Sequence, residues 1–259
     1  MRWFLTLLIT ILMISPSFGK ELTGKEIMEM VVKKATWKDM TADLTLTIVS
    51  SKGAKRVRKI KMFSRKRSEE ESDMLMRFIS PPDVAGTGFL LIEHADRDDD
   101  RYLFLPALRR VKRIASSGKG GSFMGSDFSY YDIGRPKLRD WRYRRLEDEV
   151  KKGVECFKVE ATPATPQVEK DTRYSKIIHW IDKKKWTTVY AEYYDRTGQL
   201  WKVLEVPGVK KIEEVWFQTH LIMRDVQAKR YSEMKFENIK INQNLPASYF
   251  TKRYLLRWH

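Results

Sequence analysis

From Ala42 onward, apolar and polar residues alternate with a period of two. Ala42, Leu44, Leu46 and Ile48 fall on one face and Asp43, Thr45 and Thr47 on the other, the pattern of a half-buried strand. Ser51-Lys52-Gly53 then turns the chain into a basic strand carrying Val57, Ile60 and Phe63. Met74, Met76 and Phe78 make a third alternating run, ended by Pro81-Pro82. Further strands are readable at 89–92, 102–105, 109–114, 141–146, 156–161, 177–181, 189–194, 200–206, 214–221 and 231–241, with Asp195-Arg196-Thr197-Gly198 as a hairpin turn. Short strands at near-regular spacing predict one antiparallel sheet, curled on itself or folded as a sandwich. One helix precedes it: Thr23-Gly24-Lys25-Glu26 matches a capping box, and Ile27, Met30 and Val31 share a face. No repeat or linker divides residues 20–259, so they are expected to form a single domain.

The segment 115–138 interrupts this pattern. Ser116-Ser117-Gly118-Lys119-Gly120-Gly121-Ser122 is flexible by composition, and Phe123, Met124, Phe128 and Tyr130 follow it. A connection of that length in a compact domain is usually functional or disordered, and its aromatics favour function. We read these four side chains as a movable gate, with the glycines supplying backbone freedom.

Residues 1–19 carry the marks of a cleaved signal peptide. Arg2 is followed by an apolar run from Trp3 to Ile14, a helix-breaking Pro16, and Ser17-Phe18-Gly19 at the cleavage site. An uncleaved anchor is the competing reading. Export to the periplasm makes nucleic acid an unexpected partner, although 50 Lys+Arg against 34 Asp+Glu give a net charge of +16. That balance points instead to a membrane surface or an acidic ligand. Arg109, Arg110 and Arg113, just before the long segment, are candidates for contact with a lipid phosphate or an acidic partner surface; a solvated strand face is the alternative. The single cysteine, Cys156, excludes an intramolecular disulfide.

Catalytic constellations are absent from the sequence. His94, His179, His220 and His259 lack metal-ligand spacing. Gly125-Ser126-Asp127 is not a nucleophile elbow, and Ser117-Gly118-Lys119-Gly120-Gly121 lacks the spacing of a phosphate loop. Asp96, Asp98 and Asp100 match the first three ligand positions of a calcium loop, but Arg101 and Ala107 occupy the glycine and glutamate positions. Cys156 has no nearby histidine and reads as a packed thiol. Neither enzyme activity, nor a metal, nor a cofactor is expected.

Aromatic and methionine side chains do recur at alternating strand positions. Met74, Met76, Phe78, Phe89, Phe104, Trp180, Tyr190, Trp201, Trp216 and Phe236 are candidates for the lining of an apolar cavity inside a curved sheet. Methionine suits variable hydrophobic cargo, and the amphipathic helix and the aromatic segment would cover it.

Three stretches resemble one family. They run from Arg77 to Leu90 (RFISPPDVAGTGFL), from Tyr102 to Ile114 (YLFLPALRRVKRI) and from Ser122 to Tyr130 (SFMGSDFSY), and Leu245-Pro246-Ala247-Ser248-Tyr249-Phe250 is similar to the family's closing element. They resemble the periplasmic outer-membrane lipoprotein-sorting proteins of the LolA/LolB-like superfamily. The resemblance implies a mainly β fold: a single unclosed antiparallel β-barrel of about eleven strands with a helical lid. It implies a monomeric periplasmic carrier of lipoprotein or lipid acyl chains, working between an inner-membrane exporter and an outer-membrane acceptor. Lipoprotein and free lipid both remain open as cargo. So does a second reading, an envelope assembly factor docking on anionic lipid or a protein partner.

Overall fold

The computed structural model describes residues 21–135 and 137–257; the expected signal peptide lies outside them. Helix α1 (Gly24–Lys34) opens the described chain, followed by β1 (Asp39–Val49), β2 (Lys55–Lys66), β3 (Ser72–Ser80), β4 (Gly88–Ile92), β5 (Asp100–Leu105) and β6 (Arg110–Ile114). After the long connection come β7 (Trp141–Lys151), β8 (Val154–Pro163), α2 (Pro166–Thr172), β9 (Lys176–Asp182), β10 (Thr188–Tyr194), β11 (Leu200–Ile212), β12 (Val215–Asp225), β13 (Arg230–Ile241) and α3 (Lys252–Arg257). The thirteen strands form one antiparallel sheet in the order β6-β5-β4-β3-β2-β1-β13-β12-β11-β10-β9-β8-β7. All thirteen alternating runs of the sequence are strands here, two more than the resemblance implies.

The topology has a geometric consequence. The first and last strands, β1 and β13, pair in the middle of the sheet, with Leu44 opposite Phe236 and Leu46 opposite Met234. The edges are therefore β6 and β7, which do not pair, so the barrel stays unclosed. These edges are consecutive in sequence, and residues 115–140 must cross the open side to join them. Register shifts in β7–β8, β10–β11 and β11–β12 are of the kind that bend long strands and let a sheet curl.

Strand alternation sorts side chains between two faces. The inner face carries the main core, including Leu44, Leu46, Met62, Met76, Phe89, Ala191, Leu204 and Met234. The outer face of β2–β5 carries a second cluster of Phe63, Leu75, Leu90 and Tyr102, covered by Phe250 and Leu255 of the C-terminal segment. The third cluster lies under α1, where Ile27 and Met28 pack on Val159 and Ile181. The capping box of α1 is formed: Thr23 Oγ1 accepts from the Glu26 N–H and Glu26 Oε2 from the Thr23 N–H. Helix α2, with Thr165 as its N-cap and Pro166 in its first turn, is not legible from hydrophobic period in so short a segment.

Arg77 explains part of the family-like stretch around it. It is fully buried on β3, and its Nη2 donates to the carbonyls of Tyr254 (2.7 Å) and Leu255 (2.5 Å), tying α3 to the outer face. Its cross-strand partner is Gly88, where a Cβ would stand 2.5 Å from Arg77 Nη1 and 2.6 Å from Leu255 Cδ1. Glycine there makes room for the guanidinium. Burial pushes the Arg77 pKa down to about 10, so it remains charged at neutral pH. Arg77→Met is expected to cost about 1–2 kcal/mol, because two helix carbonyls lose their donor while one desolvation penalty disappears. Urea unfolding measures this; a variant as stable as the parent would show that α3 is held by apolar contact alone.

Candidate functional site

An apolar cavity of about 320 Å³ lies on the inner face, at the lower end of the range for small-molecule sites. Its floor comes from the central strands: Met40 of β1, Met62 and Ser64 of β2, Met74 and Met76 of β3, and Leu221, Met234 and Phe236 of β12 and β13. Val31 and Val32 of α1 contribute one wall with Trp37, and Trp186, Trp216 and Phe217 contribute another. Phe128, Ile133 and Arg135 of the crossing segment close it from above. Five methionines thus surround the space, unbranched chains that suit a variable apolar occupant.

Of the candidate lining residues, Met74, Met76, Trp216 and Phe236 border this cavity, as does Phe128 of the crossing segment. Phe78 and Phe89 also face inward but lie in the core beneath Phe123, whose ring centroid is 6.3 Å and 5.3 Å from theirs. Phe104 packs in the outer cluster, because it has the parity of Tyr102 and not of inward-facing Leu103. Trp180 and Tyr190 are cross-strand neighbours on the outer face, since Ile177, Ile181, Ala191 and Tyr193 take the inner one. Their rings stand 5.2 Å apart, with Lys151 Nζ within 4.2 Å of both centroids. Trp201 packs on Tyr174 and donates Nε1 to Asp225. Met40, Met62, Met234, Trp37 and Trp186 border the cavity without having been among the candidate site residues. The signal for Met62 was its partnership with Met76, hidden because Val57 and Phe63 mark the other face of β2.

The crossing segment is a packed plug in this structure. Phe123 is fully buried, with Tyr130 edge-on to it at 5.5 Å and Phe128 buried nearby. Met124 has a left-handed backbone (φ 51°), and its carbonyl accepts from Arg58. Asp127 holds the centre: its N–H donates to Ser232 Oγ (2.9 Å), Ser232 Oγ donates to its carboxylate (2.6 Å), and Arg230 Nε pairs with it at 2.7 Å. The Lys202 ammonium donates to the Asp127 carbonyl at 2.7 Å. Burial pushes the Asp127 pKa up, opposed by Ser232 and Arg230, and pushes the Lys202 pKa down. Gly120 serves close approach more than freedom: a Cβ there would stand 2.6 Å from the Asp171 carbonyl oxygen.

The three candidate arginines divide. Arg109 and Arg110 are exposed at the start of edge strand β6, whereas Arg113 pairs with Asp100 at 2.9 Å. Asp100 also accepts from Arg97 and contacts His94, and Arg97 chiefly, with His94 and Arg113, holds its pKa down at about 2. Its neighbour Asp99 is buried against Arg101 and Lys137, both at 2.8 Å, so this aspartate run is an ion-pair knot. Asp100→Asn is expected to lower stability by about 1 kcal/mol at neutral pH. A carboxyl depressed in the folded state stabilises above its unfolded pKa and loses that contribution as pH falls through the folded one. The deficit should therefore vanish between about pH 4 and about pH 2. Thermal melts across that range test it, and a pH-independent deficit would refute the assignment.

His179 is buried with its pKa pushed down to about 4, and the buried Cys156 thiol is pushed up to about 11. Neither is poised for chemistry near neutral pH. Among the described residues no cluster of His, Cys, Asp and Glu could hold a metal ion, and no helix is long and apolar enough to cross a membrane.

An unclosed antiparallel barrel with an apolar inner cavity, a flanking helix and a crossing plug defines a carrier-type fold. Solved structures share it. The chain is 30% identical to an outer membrane lipoprotein-sorting protein domain from Vibrio parahaemolyticus, over 90% of this chain and 98% of that one, with a TM-score of 0.85. A DUF1329 family protein from Desulfovibrio piger is 27% identical over 90% and 97%, with a TM-score of 0.84. A LolA superfamily protein from Nitrosomonas europaea shares the fold at 18% identity over 90% and 100%, with a TM-score of 0.70. A family described only as an uncharacterized protein matches residues 70–257, and no curated protein matches the chain. The chain belongs to the outer-membrane lipoprotein-sorting family, and its fold is the one seen in the LolA superfamily protein.

Proposed function

We propose that this protein is a non-enzymatic periplasmic carrier that shields acyl chains of a lipoprotein or lipid and delivers them toward the outer membrane. The carrying observation is the methionine-floored cavity on the inner face, bounded by α1 and the crossing segment. Each methylene moved from water into such a space contributes about 0.8 kcal/mol, so affinity needs no covalent step. Cleavage after Gly19 would release residues 20–259 as one monomeric domain. An inner-membrane exporter as donor and an outer-membrane acceptor complete the route. Solvent extraction of protein purified from an envelope fraction, followed by mass spectrometry, tests the reading. Acyl lipid or a lipidated protein at near one per protein is expected, and its consistent absence would overturn the carrier.

A second reading, an assembly factor that docks on anionic lipid or a protein partner, draws on exposed Arg109 and Arg110 beside the open edge of β6. Under that reading, binding to anionic vesicles would weaken with salt and would not depend on the cavity.

A further inference from the structure

We infer that the cavity takes a single-chain amphiphile with an anionic head group, a carboxylate or a phosphate monoester, and that Arg135 holds the head. This rests on the reading of the cavity as an acyl-chain site and names the ligand class. Three observations carry it.

The first is a polarity gradient along the β2–β3 ladder. Met62 pairs with Met76, Ser64 with Met74, and Lys66 with Ser72, and all six border the cavity. Four residues of strand cover about 14 Å, so the wall passes from thioethers to hydroxyls and an ammonium within the reach of one chain.

The second is Arg135, which borders both this cavity and a smaller recess of about 60 Å³ shared with Val32, His94, Lys137 and Arg139. Its backbone N–H donates to Glu93 Oε1 at 2.9 Å, but its Nη1 is buried without a hydrogen-bond partner. Buried polar atoms in folded proteins are normally partnered, and a guanidinium fork fits carboxylate and phosphate oxygens.

The third is how the neighbouring charges are committed. Lys137 pairs with Asp99, and Arg139 donates to the carbonyls of His94 and Arg97. Glu93 accepts from the Arg135 N–H and the Ser72 hydroxyl, and Asp132 from Tyr174 and the Ser129 N–H. Glu69 and Glu70 at the recess are exposed and screened by solvent. Arg135, joined by Lys66, is the cation left to meet an anion at the polar end. The modest volume matches one chain.

The test uses delipidated mature protein and four probes with one hexadecanoyl or hexadecyl chain each: palmitate, 1-palmitoyl lysophosphatidic acid, 1-monopalmitoylglycerol and hexadecyltrimethylammonium. Trp37, Trp186 and Trp216 border the cavity, so tryptophan fluorescence reports occupancy. At least one anionic probe should bind about tenfold more tightly than the neutral glyceride, and the cation most weakly. R135Q and R135M should lose that preference while keeping glyceride affinity within about twofold; the variant that retains the glyceride is the one to read. Equal binding of anionic and neutral probes by the parent protein overturns this inference and leaves the carrier standing. A preference that survives in the Arg135 variant overturns the role of Arg135. Failure of every probe to bind overturns the acyl-chain reading itself.

Discussion

Replacing Phe236 by aspartate should lower the affinity of the cavity for an acyl chain by about 100-fold or more while leaving the sheet folded. The Phe236 ring borders the cavity from β13, half-buried, opposite Leu44 at the centre of the sheet. In the empty protein a carboxylate there can keep its water. An acyl chain would strip that water, and an uncompensated buried charge costs several kcal/mol, of which about 2.7 kcal/mol already equals 100-fold. Met76 is a poorer test site because it is almost fully buried, and a charge there would unfold the core before any ligand is met. Phe104→Asp is the matched control. It lies on the outer face beside Tyr102 and Leu90, so it should loosen the C-terminal cover and leave lipid affinity within about twofold. Fluorescent fatty-acid displacement with circular dichroism on both variants decides the matter. Undiminished binding by a folded Phe236→Asp protein would place this residue outside the cargo's path.

The contrast between Phe236 and Phe104 shows what the alternation of residues can and cannot convey. Period two separates each strand into two faces, and it located all thirteen strands. It does not say which face curls inward when both carry aromatics. On β9 and β10 the large rings of Trp180 and Tyr190 take the outer face and are flanked by lysine stems, while smaller Ile177 and Ala191 enter the core. Size is no guide there, because Tyr193 enters the core while Tyr190 on the same strand does not; strand parity alone separates them. On β2, Phe63 drew attention to the outer face and concealed Met62. The glycine-rich segment was legible as special, but its state was not. Composition suggests freedom, whereas Gly120 is required by a carbonyl 2.6 Å from its would-be Cβ. What pins the segment is Asp127 meeting Ser232, a partner 105 residues away that no local pattern connects to it. Arg135 was invisible for a similar reason: its place at the cavity's polar end depends on the topology that carries one sheet edge to the other.

That pinning makes Asp127→Ala the substitution with the largest expected effect on stability, about 3 kcal/mol. The carboxylate is buried against Ser232, itself fully buried, and against Arg230. Its removal leaves a buried hydroxyl without its acceptor and takes a negative charge from the vicinity of buried Lys202, for which Asp132 and Asp225 then remain. Arg230 is partly exposed and can turn to water, which keeps the loss below that of a wholly enclosed pair. Asparagine at the same position keeps the shape and an acceptor for Ser232. Because burial already opposes the charged form of Asp127, Asp127→Asn should cost only about 1 kcal/mol. The order alanine, asparagine, parent is therefore expected in urea unfolding. The segment ties to β2, β11 and β13 through Arg58, Lys202 and Ser232, so releasing its centre should also loosen the cover over Phe128. If residues 115–140 gate the cavity, stopped-flow exchange of a fluorescent fatty acid should be several-fold faster in Asp127→Ala at a temperature where it remains folded. Exchange at the parent rate in a folded but destabilised variant would make the plug a part of the core, with entry to the cavity beside α1 instead.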